Sequence, residues 1–111
     1  MMNNTVNFDG VSSTNWKNLP SNEIATDIYE RILWSGDNGK RAIVFEFKAG
    51  AKFPGIEVHE KGPEQIYVIS GVFNDGRENH DEGAFINNPI GSAHVPQSQQ
   101  GCVVLVIYPE G

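Results

Sequence analysis

Apolar and polar positions alternate most clearly between Arg41 and Lys48. Ile43, Phe45 and Phe47 fall on one face, and Ala42, Val44 and Glu46 on the other. A period of two predicts a strand, because successive side chains point to opposite faces of a sheet. Ala49-Gly50-Ala51 is a turn, and Phe53 to His59 follows as a strand. Glu60 to Pro63 reads as a loop before a strand from Glu64 to Ser70, so these two strands are expected to form a hairpin. Asn74-Asp75-Gly76 is a turn signal between short strands. Ala84 to Asn87 is a short strand turned by Asn88-Pro89-Ile90-Gly91, and Pro96 to Gly101 is a polar loop before the apolar strand Cys102 to Tyr108. Ile24, Ile28 and Ile32 recur at a spacing that suits a helix, yet Tyr29, Ile32, Leu33 and Trp34 suit a strand; the expectation is a strand from Thr26 to Trp34. The chain is expected to be all-β.

Turn residues punctuate the whole chain, with 12 Gly and 6 Pro among 111 residues. This length fits one domain, expected over residues 14–111, with residues 1–13 as an arm that is mobile or pairs with another subunit. The net charge of −6 and the scattered basic residues argue against a nucleic-acid partner, which needs clustered Lys and Arg. No apolar run approaches the roughly 20 residues of a membrane helix, and the N-terminus has no secretory pattern, so a membrane partner is not expected and the cytoplasm is the expected location. The single cysteine, Cys102, heads an apolar run and reads as a small buried hydrophobe.

The candidate chemistry lies in two segments. In the first, Glu57 and His59 are two residues apart and project to one side of a strand, while Glu64 opens the next strand and can face them. In the second, His94 follows the Pro89-Ile90-Gly91 turn, which can aim its side chain inward. Two neutral imidazoles and two carboxylates can share one metal ion and leave coordination positions open. Glu60 could replace Glu57 if the strand is bulged. His80 stands in a charged stretch and is expected to be exposed, and Gln65 and Tyr67 should face away from the metal. Trp16, Trp34, Phe45, Phe47, Phe73 and Phe85 read as core or subunit contact.

These segments resemble the two motifs of the cupin superfamily. The first motif has the form G-x5-H-x-H-x(3,4)-E-x6-G. Here Glu57-x-His59-x4-Glu64-x6-Gly71 is similar to it, with glutamate in place of the first histidine and Gly50 one residue too distant. The second has the form G-x5-P-x-G-x2-H-x3-N; Gly83, Pro89, Gly91 and His94 match it, and Ser98 replaces the final Asn. Phe53-Pro54, Gly62-Pro63-Glu64, Ser70 to Phe73, Asn88 to His94 and Gly101-Cys102 look like the cupin domain of ChrR-type zinc anti-sigma factors and of small dioxygenase-like cupins. The resemblance runs from Trp16 to Tyr108. It implies a double-stranded β-helix, a jelly-roll barrel holding a metal. It implies His59, Glu64 and His94 as ligands, and Glu57 by position alone.

If Glu57 ligates, the two carboxylates neutralise a divalent ion, and the oxygen-rich set tilts preference from zinc toward iron or manganese. If it does not, two histidines and one carboxylate remain. Without any ion, the paired carboxylates would raise one pKa and supply an acid or base. ChrR-type factors carry an additional helical domain that grips the sigma factor; 111 residues leave no room for it, so sigma inhibition is not implied. The expected function is a metal-dependent, oxygenase-type enzyme on a small molecule, or a metal and small-ligand binding or sensing module without turnover. A homodimer is expected, because short sheets leave edges to cover.

Overall fold

The computed structural model describes residues 5–111. Eleven strands follow one another among these residues: β1 (Asn22–Ala25), β2 (Ile28–Ser35), β3 (Arg41–Phe47), β4 (Ala51–Lys52), β5 (Glu57–Val58), β6 (Glu64–Asn74), β7 (Asn79–Asp81), β8 (Phe85–Asn88), β9 (Ala93–His94), β10 (Gln97–Ser98) and β11 (Cys102–Tyr108). The only helical pieces among them are two short 3-10 turns, Trp16–Asn18 and Asp37–Gly39. The all-β expectation holds.

One sheet runs in the order β1-β2-β3-β11-β6-β10-β4, with β7 and β8 also paired to β6, and β5 and β9 form a second, two-stranded ladder. All the pairings are antiparallel. The long strand β6 is the hub. Its first half pairs with β8 and β11, and its far end with β7 and β10. Between these halves the register against β11 slips at Ile69, and Gly71 follows at φ 75° with Gly101 O standing where a Cβ would have to go. A side chain at Gly71 has no room, so the bend that curls the sheet needs glycine there.

The concave face carries the core. Ile28, Phe47, Ile66, Val68, Val104 and Val106 are buried together, and Phe73 meets Phe47 edge-on at 5.9 Å between ring centres. Period two explains the selection: Ile43, Phe45 and Phe47 lie opposite Val106, Val104 and Cys102, and all six face inward. Val44, on the other face of β3, is buried as well. Cys102 is 5% exposed, and burial pushes its thiol up to about 11, so it is the small hydrophobe expected.

Several expectations are corrected. The strand expected over Phe53–His59 is interrupted: Pro54 and Gly55 (φ 103°) break it, leaving only β5 within that span, while β4 lies ahead of it. The expected hairpin between that segment and Glu64–Ser70 does not form. Both edges of β6 are occupied, by β8 and β11, so β5 pairs with β9 instead. The loop from Pro96 to Gly101 contains β10, which bridges β4 and β6. Its Ser98 is buried and donates its hydroxyl to Val72 O at 2.5 Å, a polar contact that no apolar alternation announces.

The ambiguous segment is strand. A turn at Thr26–Asp27, with Asp27 at φ 62°, separates β1 from β2. A spacing of four residues is even, so it preserves the face of a strand as readily as that of a helix, and both Ile24 and Ile28 reach the concave side. His80 is not exposed. It sits on β7, with Nε2 2.9 Å from the buried Asp75 and its ring 6.4 Å from that of Phe73. Trp34 and Phe85 are half-exposed or more, and Trp16 lies against the Arg31 guanidinium at 5.1 Å. Residues 5–13 of the expected arm are exposed, and Met1 to Asn4 lie outside the described residues.

Candidate metal centre

Three chain segments far apart in sequence deliver four donors to one place. Glu57 and His94 are opposed partners of the β5–β9 ladder. His59 follows β5, held by backbone bonds from His59 N to Ser92 O (2.9 Å) and from Gly91 N to His59 O (2.7 Å). Glu64 opens β6, where its ladder partner is Asn88. It therefore reaches Glu57 and His59 across the barrel, not along a hairpin. Gly91, at φ 88°, is the left-handed residue that lets the Pro89–Ser92 turn deliver β9 to the site.

The donor atoms converge. His94 Nε2 lies 2.9 Å from Glu57 Oε1 and 3.5 Å from Glu64 Oε1. His59 Nε2 lies 3.6 Å from Glu57 Oε1 and 3.3 Å from Glu64 Oε1. The two Nε2 atoms are 3.0 Å apart. All four donors lie within 4.8 Å of one another, so Glu57, His59, Glu64 and His94 could hold a metal ion. The fit can be tested on these edges. Donors about 2.1 Å from one ion stand about 3.0 Å apart at right angles and about 3.4 Å apart at tetrahedral angles. The observed edges, 2.9 to 3.6 Å, bracket these two values and depart from them by no more than 0.2 Å. Glu60, the alternative to Glu57, is not among the four.

Without a cation the cluster shares charge unevenly. Burial raises the Glu64 carboxyl to about 7, and the charge of Glu57 adds to the effect. Burial also works against ionised Glu57, but its bond to His94 and the charges of both imidazoles outweigh this and hold it below the ordinary value. Burial and the neighbouring His94 lower His59; His94 is raised, because the bond to Glu57 and the charges of both glutamates outweigh its burial. One tightly buried carboxyl thus keeps its proton where a divalent ion would displace it.

Glu64 has supports that the sequence reading did not identify. Asn88 Nδ2 donates to Glu64 Oε1 at 3.3 Å, and the Tyr108 phenol interacts with the same carboxyl. Burial and the two glutamate charges push the Tyr108 phenol up, so its proton stays on oxygen. The signal for Tyr108 was present: it continues the inward series Cys102, Val104, Val106 at even spacing. Gln65 and Tyr67 face outward as expected, with Tyr67 44% exposed.

Two cavities flank the cluster. The inner chamber has about 390 Å³ of free space, part of it open to solvent. Its walls include Phe45, Phe47, Phe53 and Phe73, and Glu57, Glu64 and His94 also line it. The second is an outer vestibule that touches the cluster at His59. Tyr108 borders both.

Comparison with known proteins agrees with this architecture. Among solved structures, the chain is similar to a chain of the complex between Rhodobacter sphaeroides SigE and the anti-sigma ChrR, with 18% identity and a TM-score of 0.73 over 85% of this chain and 50% of that one. It thus spans about half the length of that chain. It is also similar to the polyketide cyclase RemF from Streptomyces resistomycificus, with 21% identity and a TM-score of 0.76, covering 91% of this chain and 80% of that one. A candidate acetylacetone dioxygenase from Methylibium petroleiphilum is 12% identical, with a TM-score of 0.76 over 97% of this chain and 81% of that one. These likenesses show a cupin fold. No curated protein matches the chain. A family model described as the ChrR cupin-like domain matches residues 9–109, a span that includes all four donors and both flanking cavities' aromatic walls. The chain belongs to the ChrR cupin-like domain family.

Proposed function

We propose that this protein is a divalent-metal enzyme of oxygenase type, acting on a small carbonyl-bearing molecule with an apolar body. The observation that carries the reading is shared lining: Glu57, Glu64 and His94 belong both to the donor cluster and to the wall of an aromatic chamber. A molecule in that chamber lies against the ion. When bound, the ion supplies a Lewis acid and, as iron or manganese, a redox centre. The two glutamates offset its charge and favour these harder ions over zinc. Tyr108 and Asn88 fix the Glu64 carboxylate, and the phenylalanine walls exclude water from the reacting groups. The names of RemF and of the dioxygenase both point to carbonyl compounds, which supports the substrate class by fold analogy.

The test is oxygen uptake by iron(II)-loaded protein with acetylacetone and phenolic ketones. Metal-dependent uptake is expected. Stoichiometric zinc with no uptake across the series would favour the second reading, a metal and small-ligand binding or sensing domain, which membership in the ChrR-type family supports.

We also propose a homodimer. Ile32 and Trp34 on β2, and Val6, Phe8 and Val11 on the arm, are large apolar residues left exposed, and β1 ends the sheet with an open edge. Light scattering at micromolar concentration should give twice the chain mass; a monomer would contradict it.

A further inference from the structure

The outer vestibule has about 980 Å³ of free space, counting the part open to solvent. Asn38, Arg41, His59, Glu60, Lys61 and Tyr108 are among its walls. Two cations in a chain of net charge −6 therefore stand beside the donor cluster. Arg41 is held in place. It opens β3 opposite Tyr108, its guanidinium carbon sits 3.8 Å from the centre of the Tyr108 ring, and its Nη1 donates to Gly39 O at 2.7 Å. Stacking and that single bond orient the planar fork but leave most of its five donors unused. Arg31 and Arg77 make ion pairs with carboxylates, whereas among the described residues neither Arg41 nor Lys61 does. A preorganised guanidinium that makes no ion pair of its own, sharing its cavity with Lys61 and with one side-chain carboxylate, Glu60, is the chemistry that receives a further carboxylate.

We propose that the vestibule is a binding site for the carboxylate of a small molecule, with Arg41 as its fixed anchor and Lys61 as a second, mobile cation. The proposal deepens the metal-enzyme reading, on which it rests for the nature of the occupant: the preferred substrate is an oxo acid, held by a carboxylate that a neutral ketone lacks. The division of labour follows from charge. Glu57 and Glu64 together neutralise a divalent ion, so the metal centre itself has little pull on an anion beyond its open positions. Arg41 and Lys61 supply that pull a short distance away, and Tyr108, which touches Arg41 on one side and Glu64 on the other, joins the two sites.

The test is calorimetric titration of manganese-loaded and of metal-free protein with levulinate and with its neutral methyl ester. Wild type should bind the acid at least ten times more tightly than the ester. Arg41→Gln should remove that preference while leaving ester affinity and metal content unchanged. Because Arg41 also covers Tyr108, Lys61→Gln at an exposed position gives a separate check and should weaken the acid several-fold. An acid-to-ester ratio that neither substitution changes, or one near unity in wild type, would overturn the proposal. The metal-free titration separates the two ideas: a preference for the acid that depends on Arg41 there upholds the vestibule even if the protein takes up no metal.

Discussion

Glu57 and His94, 37 positions apart, face each other directly across the β5–β9 ladder, with Glu57 Oε1 2.9 Å from His94 Nε2. The pairing couples the two sequence motifs. It also gives the glutamate at the position of an expected histidine the same access to the centre as the imidazole opposite. In the absence of metal the pair is an ion pair in the making, since the contact lowers Glu57 and raises His94.

The core does not depend on this pair. Val68, Phe73, Ile28 and Val104 are each at most 1% exposed, and they pack without the donors. His94→Ala should therefore abolish metal binding and leave the β-sheet circular dichroism of the metal-free protein unchanged. Loss of that spectrum would mean that the site is part of the folding core.

Core truncation should behave in the opposite way. Phe73→Ala removes a fully buried ring that meets Phe47 edge-on. It should cost about 3–5 kcal/mol in denaturant unfolding. A loss below about 1 kcal/mol would mean that the chamber collapses onto the gap.

Tyr108→Phe deletes the hydroxyl that interacts with Glu64 and keeps the ring under Arg41. Groups that orient a ligand typically change metal affinity by about 10- to 100-fold when removed. The variant should weaken manganese binding within that range, with little change in thermal midpoint. An unchanged affinity would show that Asn88 alone holds the carboxylate.

Protonation of Glu64 gives a pH signature. Its folded value is about 7 against an ordinary 4.5, from burial first and the charge of Glu57 second. A carboxyl raised by folding binds its proton more tightly in the folded state. Its contribution to stability is therefore complete below the ordinary value and disappears as pH rises through about 7. Metal-free protein should melt at lower temperature at pH 7.5 than at pH 5, and Glu64→Gln should flatten that slope. Metal affinity should run the other way, rising with pH up to about 7 because the ion displaces the proton. A thermal midpoint in metal-free wild type that rises over the same range would contradict the assignment.

The residues of the centre were legible where chemistry and spacing are local. Gly83, Pro89, Gly91 and His94 form a motif written within one dozen residues, and the alternation in Arg41–Lys48 set the inward face of β3, while Cys102–Tyr108 was legible as an apolar strand. Pairing was not legible. Glu57 and Glu64 look like members of one hairpin because they are close in sequence, yet β6 is claimed on both edges by β8 and β11, segments that a local reading cannot weigh against β5. His80 was misjudged for a related reason: its charged neighbours hide the buried Asp75 that it pairs with. The vestibule was invisible because its walls come from the β2–β3 turn, the loop after β5 and the end of β11, which meet only in the folded chain.

Glu57, His59, Glu64 and His94 are positioned to hold one divalent ion together. The most direct test is metal content by mass spectrometry on protein purified without a metal-affinity tag, measured alongside Glu57→Ala. Near-stoichiometric iron or manganese is expected in wild type, with a marked fall in the variant. Wild type without metal, or with zinc at a level indifferent to the loss of Glu57, would contradict this.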